Sequence, residues 1–423
     1  MATASRVLVS PEHQGIFHRP GVTEQAAAKA SELLQENHEN HHIFFNADGY
    51  HNHIAHHALT LYALAAAPDA IQRQYDNNRS YQRPPGPVKE SVVEELHDPA
   101  AYSKYLGKEQ YYHSYLVFFQ KEIDKKGWEA VLNGYVFKGD DRADDMLVRM
   151  FAGFLHPIIH LGFGIEFKQP AIIAEALAQA AVSTSWMSAL LVGAEQAAGD
   201  ATGKAGSRSL VSLLDEIYAD EKLSNAAHWD DGNKIRDGIL IRAPQEMVHY
   251  AKQWTVGPEE LEEKTAEMIN AAGSAQRPGK VPKIDFYYMH CVNASIFFSS
   301  FLAQPWLSTA NKVRLLEWKG RNDLAMYPSR HSPKPLLGEV LSYEPKKPTS
   351  ESDDPWGPIV ERVIAHNDDG HASKLVRALA HGQAACKPFD KSDAFRVKSE
   401  AWLKLGHIGE NFGHVSSFAS SES

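Results

Sequence analysis

Apolar residues recur along most of this chain at steps of three and four, the period of a helix buried along one side. Ile54, Ala58, Leu61 and Ala65 stand at steps of four, three and four, and Pro68 follows, so a helix over 53–67 is expected to stop there. Residues 23–37 run through good helix formers behind Thr23, a fitting N-cap. Residues 109–123 continue the pattern with large aromatics. Residues 144–160 read as helix up to Pro157, which removes a backbone donor and predicts a kink or restart at that point. Pro170 suits the first position of a long apolar helix over 170–197. Asp285 can cap a helix that begins at Phe286, and 308–325, 356–366, 371–381 and 392–405 read as helical too.

Strand-like runs are few: HHIFF near residue 43 and GILI near residue 238. The polar or Pro/Gly-rich stretches 76–92, 198–209, 272–283 and 328–357 are expected to be irregular. Alternating β and α units are missing, which speaks against a parallel sheet or a barrel. The expectation is an all-α fold. It is one large helical domain over residues 1–423 with few or no strands, poorly ordered at 1–20 and 415–423.

Composition narrows the function more than the fold. The 423 residues carry a net charge of −10 without long single-sign runs, which gives no electrostatic footprint for nucleic acid or for an anionic membrane. The longest apolar segments contain His, Asn, Ser or Glu within any 18-residue window, so no transmembrane helix is expected. The start, MATASRVLVSPEHQG, has no apolar run of signal-peptide length, and a cytoplasmic location follows by default. The two cysteines, Cys291 and Cys386, are too few for a zinc knuckle or a disulfide framework, and Cys291 reads as a buried free thiol. Against those two stand 22 histidines, an imbalance that points to nitrogen-ligand metal chemistry.

Four stretches concentrate that chemistry. The first is dense in imidazole: His38, His41, His42, His51, His53, His56 and His57. On a helix His53 and His57 share a face at i and i+4, and His53 and His56 nearly do, so two imidazoles one turn apart could hold one ion. His57 falls beside the apolar stripe Ile54–Leu61 and so points inward; a water-facing helix start rich in histidine is the plainer alternative. The second is HPIIHLGFGIEF, residues 156–167, with His156 and His160 on either side of the proline. His160 lies among apolar residues and needs a partner or a metal. Glu166, between Ile165 and Phe167, needs one too: either an imidazole it would orient or an ion pair. The third is the stripe Phe286, His290, Asn293 and Phe297, which would bury His290 and Asn293 side by side. The fourth is DDGHASKLVR, residues 368–377: the Asp pair suits a helix start, with His371 and Lys374 in its first turn. A lysine cation there opposes the helix dipole by only ~0.3–1 kcal/mol. The conflict vanishes if burial keeps the amine neutral, and a neutral amine can take up carbon dioxide as a carbamate. A surface lysine beside Asp368 is the ordinary alternative.

Taken together, HNHIAHHALTLYALAA, MFAGFLHPIIHLGFGIEFKQPAIIAEALAQAA, the His290 helix and DDGHASKLVRAL resemble the questin oxidase-like family of fungal secondary metabolism, over residues 40–410. The resemblance implies an all-helical oxidoreductase acting on aromatic polyketides, with anthraquinone ring opening as the namesake reaction. It further implies a buried central Fe(2+) held by four histidines and a carboxylated lysine, with dioxygen as co-substrate. Carried onto this chain, the ligands implied are His160, His290, His371 and Lys374. A fourth histidine comes from the first cluster: His57 by its inward placement, with His56 and His53 as alternates. Glu166 and Asn293 would then stand behind the ligands. Phe163, Phe286, Tyr287 and Phe297 could pack a flat substrate or simply fill the core. Where a Gly is expected near the helix end, this chain reads AHHALTLYALAAA, a departure that touches packing and not the ligands.

The implied partners are a small aromatic polyketide and a separate NADPH-dependent reductase that would first reduce a quinone substrate. Three rival readings stay open. A metal-free, NADPH-dependent Baeyer–Villiger-type oxidoreductase would use histidines as general bases. A two-metal hydrolase bridged by a carbamylated lysine would need a barrel that the pattern does not offer. A non-enzymatic helical binding protein would need no metal at all.

Overall fold

The structure, a computed structural model, describes residues 1–199, 208–274, 276–277, 283–334, 337–347 and 354–410. The expected loose end at 415–423 lies outside these. Helix dominates the described residues, as the periodicity predicts. A two-residue antiparallel pair, Gln276–Arg277 with Lys283–Ile284, is the extent of sheet among them. HHIFF contributes one isolated bridge, Phe44 with His51, and GILI lies in a π-helical turn, Lys234–Ile239, that runs into Leu240–Arg242.

The chain falls into two compact units. The first comprises Met1–Ser185, Gly357–Arg377 and the stretch from Glu410. Its centre is the helix Pro170–Val182, buried at every residue after the proline and packed against Ala152–Glu166 and Tyr112–Lys126. Small residues make that possible: AEALAQAA lets neighbouring helices approach closely while keeping high helix propensity. Within residues 1–20 the backbone has partners in the first unit. Val7 and Val9 donate their backbone N–H groups to Gln35 and Ser31 at 2.7 and 2.8 Å, and Leu8 donates to Gln169 at 2.9 Å. The second unit, Trp186–Trp356 with Ala378–Gly409, packs the helices Leu261–Gly273, Phe286–Leu302 and Thr309–Ser329 against one another.

Two prolines and one helix length depart from the simplest expectation. The helix Ile54–Ala63 ends at Ala65, which takes φ 58°, and Pro68 opens the next helix, Pro68–Arg79, where its missing N–H costs nothing. That helix extends into 76–92, which had looked irregular, and Glu90–Glu95 is helical as well. The break near Pro157 falls before it: Gly153, Phe154 and Leu155 all have positive φ (51°, 54° and 69°), so Pro157 sits in the first turn of the restarted helix. The apolar run after Pro170 is two helices, Pro170–Val182 and Ser188–Gly199, parted at Ser183. No single helix among the described residues is long and apolar enough to cross a membrane. One pair bent by 96°, Asp141–Met150 with Ala152–Glu166, passes by length and composition alone.

Candidate metal centre

The first unit buries an aggregate of imidazoles at the start of Ile54–Ala63, at the restart after Leu155 and at the start of His371–Cys386. His51 stacks on His156 with ring centroids 3.9 Å apart, His156 on His53 at 4.9 Å, and His371 meets His53 edge-on at 4.7 Å. His56 lies 5.8 Å from His53 and 5.0 Å from His160. Two glycines shape this ground. A Cβ on Gly153 would lie 2.5 Å from His51 Nε2, and one on Gly370 (φ 93°) would lie 2.7 Å from the His57 ring, so both positions need the bare backbone.

Hydrogen bonds fix which nitrogen of each ring carries the proton. His53 Nδ1 donates to Asp369 Oδ2 at 2.8 Å, and His371 Nδ1 donates to Asp369 Oδ1. His156 Nδ1 donates to the Gly153 carbonyl at 2.5 Å. A carboxylate and a carbonyl can only accept, so in each neutral ring Nε2 is left with the lone pair. His53 Nε2 and His156 Nε2 nonetheless face each other at 2.7 Å. Two bare lone pairs at that separation repel unless a positive charge, a proton or a metal ion, lies between them. One donor atom from each of His53, Asp369 and His371 also falls within 4.8 Å of the others. Both Asp369 oxygens are spent on imidazole N–H groups, so Asp369 orients the two rings as a carboxylate behind metal-bound histidines commonly does. The donor set fits a cation.

Electrostatics agree. Burial, reinforced by Lys374, pushes His53 down to about 3 despite Asp369. Burial and the neighbouring cationic groups hold His51 and His56 well below the usual imidazole range. These rings are neutral at pH 7, the form that binds metal. Asp369 stays ionised because His371 and His53 outweigh its burial. Asp368 takes the other task of the pair, accepting the backbone N–H groups of Gly370 and Ala372 at 2.8 Å and so capping the helix. Lys374, 6% exposed, is lowered to about 8 by burial, against Asp369 and Asp368.

The residues expected from the sequence sort as follows. His53, His371 and Lys374 lie in the first unit around this aggregate; the alternates His53 and His56 make ring contacts within it, and His57 is buried beside it, near Asp369 and His371. His57 packs on Gly370, makes no ring contact with another histidine among the described residues, and is lowered to about 4 by burial. His160 stands one step back, since both its nitrogens are engaged: Nδ1 with His56 Nε2 at 2.9 Å and Nε2 with Glu175 Oε2 at 2.6 Å. Among the described residues Glu166 buttresses no imidazole. It pairs with Arg377 at 2.6 Å and accepts from Ile16 N–H at 2.6 Å, the ion-pair alternative. His290 and Asn293 belong to the second unit and are both buried there. His290 Nδ1 donates to the Phe286 carbonyl at 3.0 Å, and the Asn293 amide has no hydrogen-bond partner among the described residues. Phe163 stacks on His56 at 5.1 Å as core, while Phe286 is 40% exposed. Asp369, Glu175 and His156 as a facing nitrogen were missed. A carboxylate that orients an imidazole has no spacing rule when the two are distant in sequence, as Asp369 and His53 are.

The class defined so far is an all-α protein with a buried, acceptor-rich histidine centre. Comparison with known proteins is consistent with this. The family model described as questin oxidase-like matches residues 50–379. A Baeyer–Villiger oxidase of Pestalotiopsis fici is 41% identical over 96% of this chain and 93% of its own. A questin oxidase of Aspergillus terreus is 41% identical over 96% and 92%, and a Baeyer–Villiger monooxygenase of a Cryptosporiopsis species is 39% identical over 96% and 93%. The chain belongs to the questin oxidase-like family and is an oxidoreductase.

Proposed function

We propose that this protein is a non-haem iron-dependent oxygenase that uses dioxygen to open the ring of an anthraquinone-type aromatic polyketide. The observation that carries the metal is the pair of facing nitrogens, His53 Nε2 and His156 Nε2, at 2.7 Å, each in a ring whose Nδ1 already donates. Family membership and relatives named questin oxidase carry the substrate class. His53, His156 and His371 would hold the ion, with Asp369 fixing two of the rings. Ferrous iron in a nitrogen-rich site with open positions supplies dioxygen activation.

The chain's own residues do the rest. Asp369 keeps the proton of His53 and of His371 on Nδ1, so neither ring can turn its N–H toward the ion. Burial keeps the imidazoles neutral and water away. Lys374, partly uncharged near pH 8, has the lone pair needed to attack carbon dioxide. The N–C bond forms, the proton leaves to solvent, and the resulting carbamate is an oxygen anion suited to a hard cation. A quinone substrate would first be reduced by a separate NADPH-dependent partner.

The test is elemental analysis of anaerobically purified protein together with oxygen uptake on a hydroanthraquinone. One iron per chain is expected, lost in His53→Ala and depleted in Lys374→Ala. Full activity under strong chelation, with no iron bound, would overturn the reading. A second reading, a metal-free NADPH-dependent Baeyer–Villiger-type enzyme, is favoured by the relatives' names. It predicts stoichiometric NADPH oxidation by the pure, chelated protein, which the iron reading does not.

A further inference from the structure

We infer that Glu175 is a positioning residue: acting through His160, it holds His56 in the tautomer protonated on Nε2 and leaves Nδ1 as a buried lone pair. Four links carry this. Glu175 lies in Pro170–Val182, 4% exposed, with each oxygen 2.6 Å from an imidazole: Oε1 from His38 Nδ1 and Oε2 from His160 Nε2. The Gln120 amide nitrogen, which can only donate, meets His38 Nε2 at 2.9 Å, so the His38 proton is on Nδ1 and goes to Glu175. His160 spends its proton on the other oxygen, so its Nδ1 accepts. The donor facing it at 2.9 Å is His56 Nε2. What remains on His56 is Nδ1, fully buried and without a hydrogen-bond partner among the described residues. As a lone pair it tolerates that isolation better than an N–H would, because a buried donor with nothing to donate to loses its hydration outright.

Burial alone would raise the Glu175 carboxyl. The hydrogen bonds from His160 and His38 overcome it and hold the group down at about 2, so it stays an acceptor on both oxygens. The arrangement parallels Asp369, which also takes one imidazole N–H on each oxygen. Asp369 acts directly on rings that present lone pairs. Glu175 acts one ring further away. That the His56 lone pair adds a further ligand to His53, His156 and His371 goes beyond the iron reading above and rests on it; its tautomer does not.

The experiment uses the full chain, metal-free and labelled with 15N-histidine, and reads tautomers from long-range proton–nitrogen correlations. His56 and His160 are assigned by loss of their signals in His56→Gln and His160→Gln. In the unmutated protein both rings are expected to show a protonated Nε2 and an unprotonated Nδ1; a protonated Nδ1 on His56 overturns the proposal. Glu175→Ala is expected to give mixed tautomers in both rings, and unchanged spectra would overturn it as well. Glu175→Gln should rescue the signature. Its amide oxygen can accept from His160 while its NH2 group donates to His38, whose displaced proton meets a rotated Gln120.

If Glu175→Ala does not fold, the unmutated spectrum and the rescue variant still decide. Co(II) titration gives the second readout. Affinity should fall ~10–100-fold in Glu175→Ala, the range for losing an outer hydrogen-bond partner of a ligand, and recover in Glu175→Gln. Unmutated protein that shows the tautomers yet binds neither Fe(II) nor Co(II) sinks the iron reading and upholds the tautomer assignment.

Discussion

Two buried polar clusters, one in each unit, show opposite ways of placing charge in a helical interior. In the second unit Lys319 pairs with Asp323 one turn along Thr309–Ser329, and the same carboxylate takes the Asn322 amide and the Cys291 thiol. Lys319 has 0% exposure and Asp323 3%. That cluster is closed: cation, anion and neutral donors share one helix turn and its neighbour. In the first unit the anions Asp369 and Glu175 are saturated by imidazole N–H groups, and lone pairs are left facing inward at His53, His156 and His56. That cluster is open toward a cation. The difference teaches that buried polarity alone does not mark a site; an unmatched excess of acceptors does.

The comparison breaks most visibly at Lys319. Lys319→Met strands Asp323 and should cost ~3–5 kcal/mol in urea unfolding, whereas Lys319→Met with Asp323→Leu together should recover most of it. Neither variant should change metal stoichiometry. If the single variant were as stable as the parent, the second cluster would not be closed.

Acid should act on buried histidines of the first unit instead. Burial lowers both His42 and His57 to about 4, so the unfolded chain binds protons that the folded chain does not. Stability is then full above pH 6.5 and falls as pH drops toward 4, by ~2 kcal/mol per group at pH 5. Denaturation of metal-free protein at pH 7.5 and pH 5 checks this; equal stabilities would mean that the histidines are already protonated in the fold.

Asp369→Asn sharpens the contrast further. An amide can accept from only one of His53 and His371, so Fe(II) or Co(II) affinity should drop ~10–100-fold with little change in helical content by circular dichroism. Smallest is a peripheral control. Thr23 accepts from Ala26 N–H at 3.1 Å, and Thr23→Ala should cost ~1 kcal/mol in thermal unfolding while leaving metal affinity alone.

Much of this is legible in the sequence. The Thr23 and Asp285 caps, the apolar periods and the Ala-rich Pro170 helix follow from local rules, and the structure shows each of them. The misreadings share one cause. Pro68, Pro157 and the Ser183 break depend on where the chain turns, and the turning residues (Ala65, Gly153, Phe154, Leu155) carry no strong turn signature apart from one glycine.

The sequence by itself determined the helical class, the wealth of nitrogen donors over thiols, and the pairing of His371 with Lys374 in one turn and of His53 with His56 in another, because spacing along one helix is a local property. Tertiary structure alone decided that His53 meets Asp369, that Glu166 goes to Arg377, and that Glu175 and Asp369 set the tautomers. Those outcomes turn on hydrogen bonds between residues as far as 316 positions apart, and no local pattern encodes which distant acceptor a buried imidazole will meet.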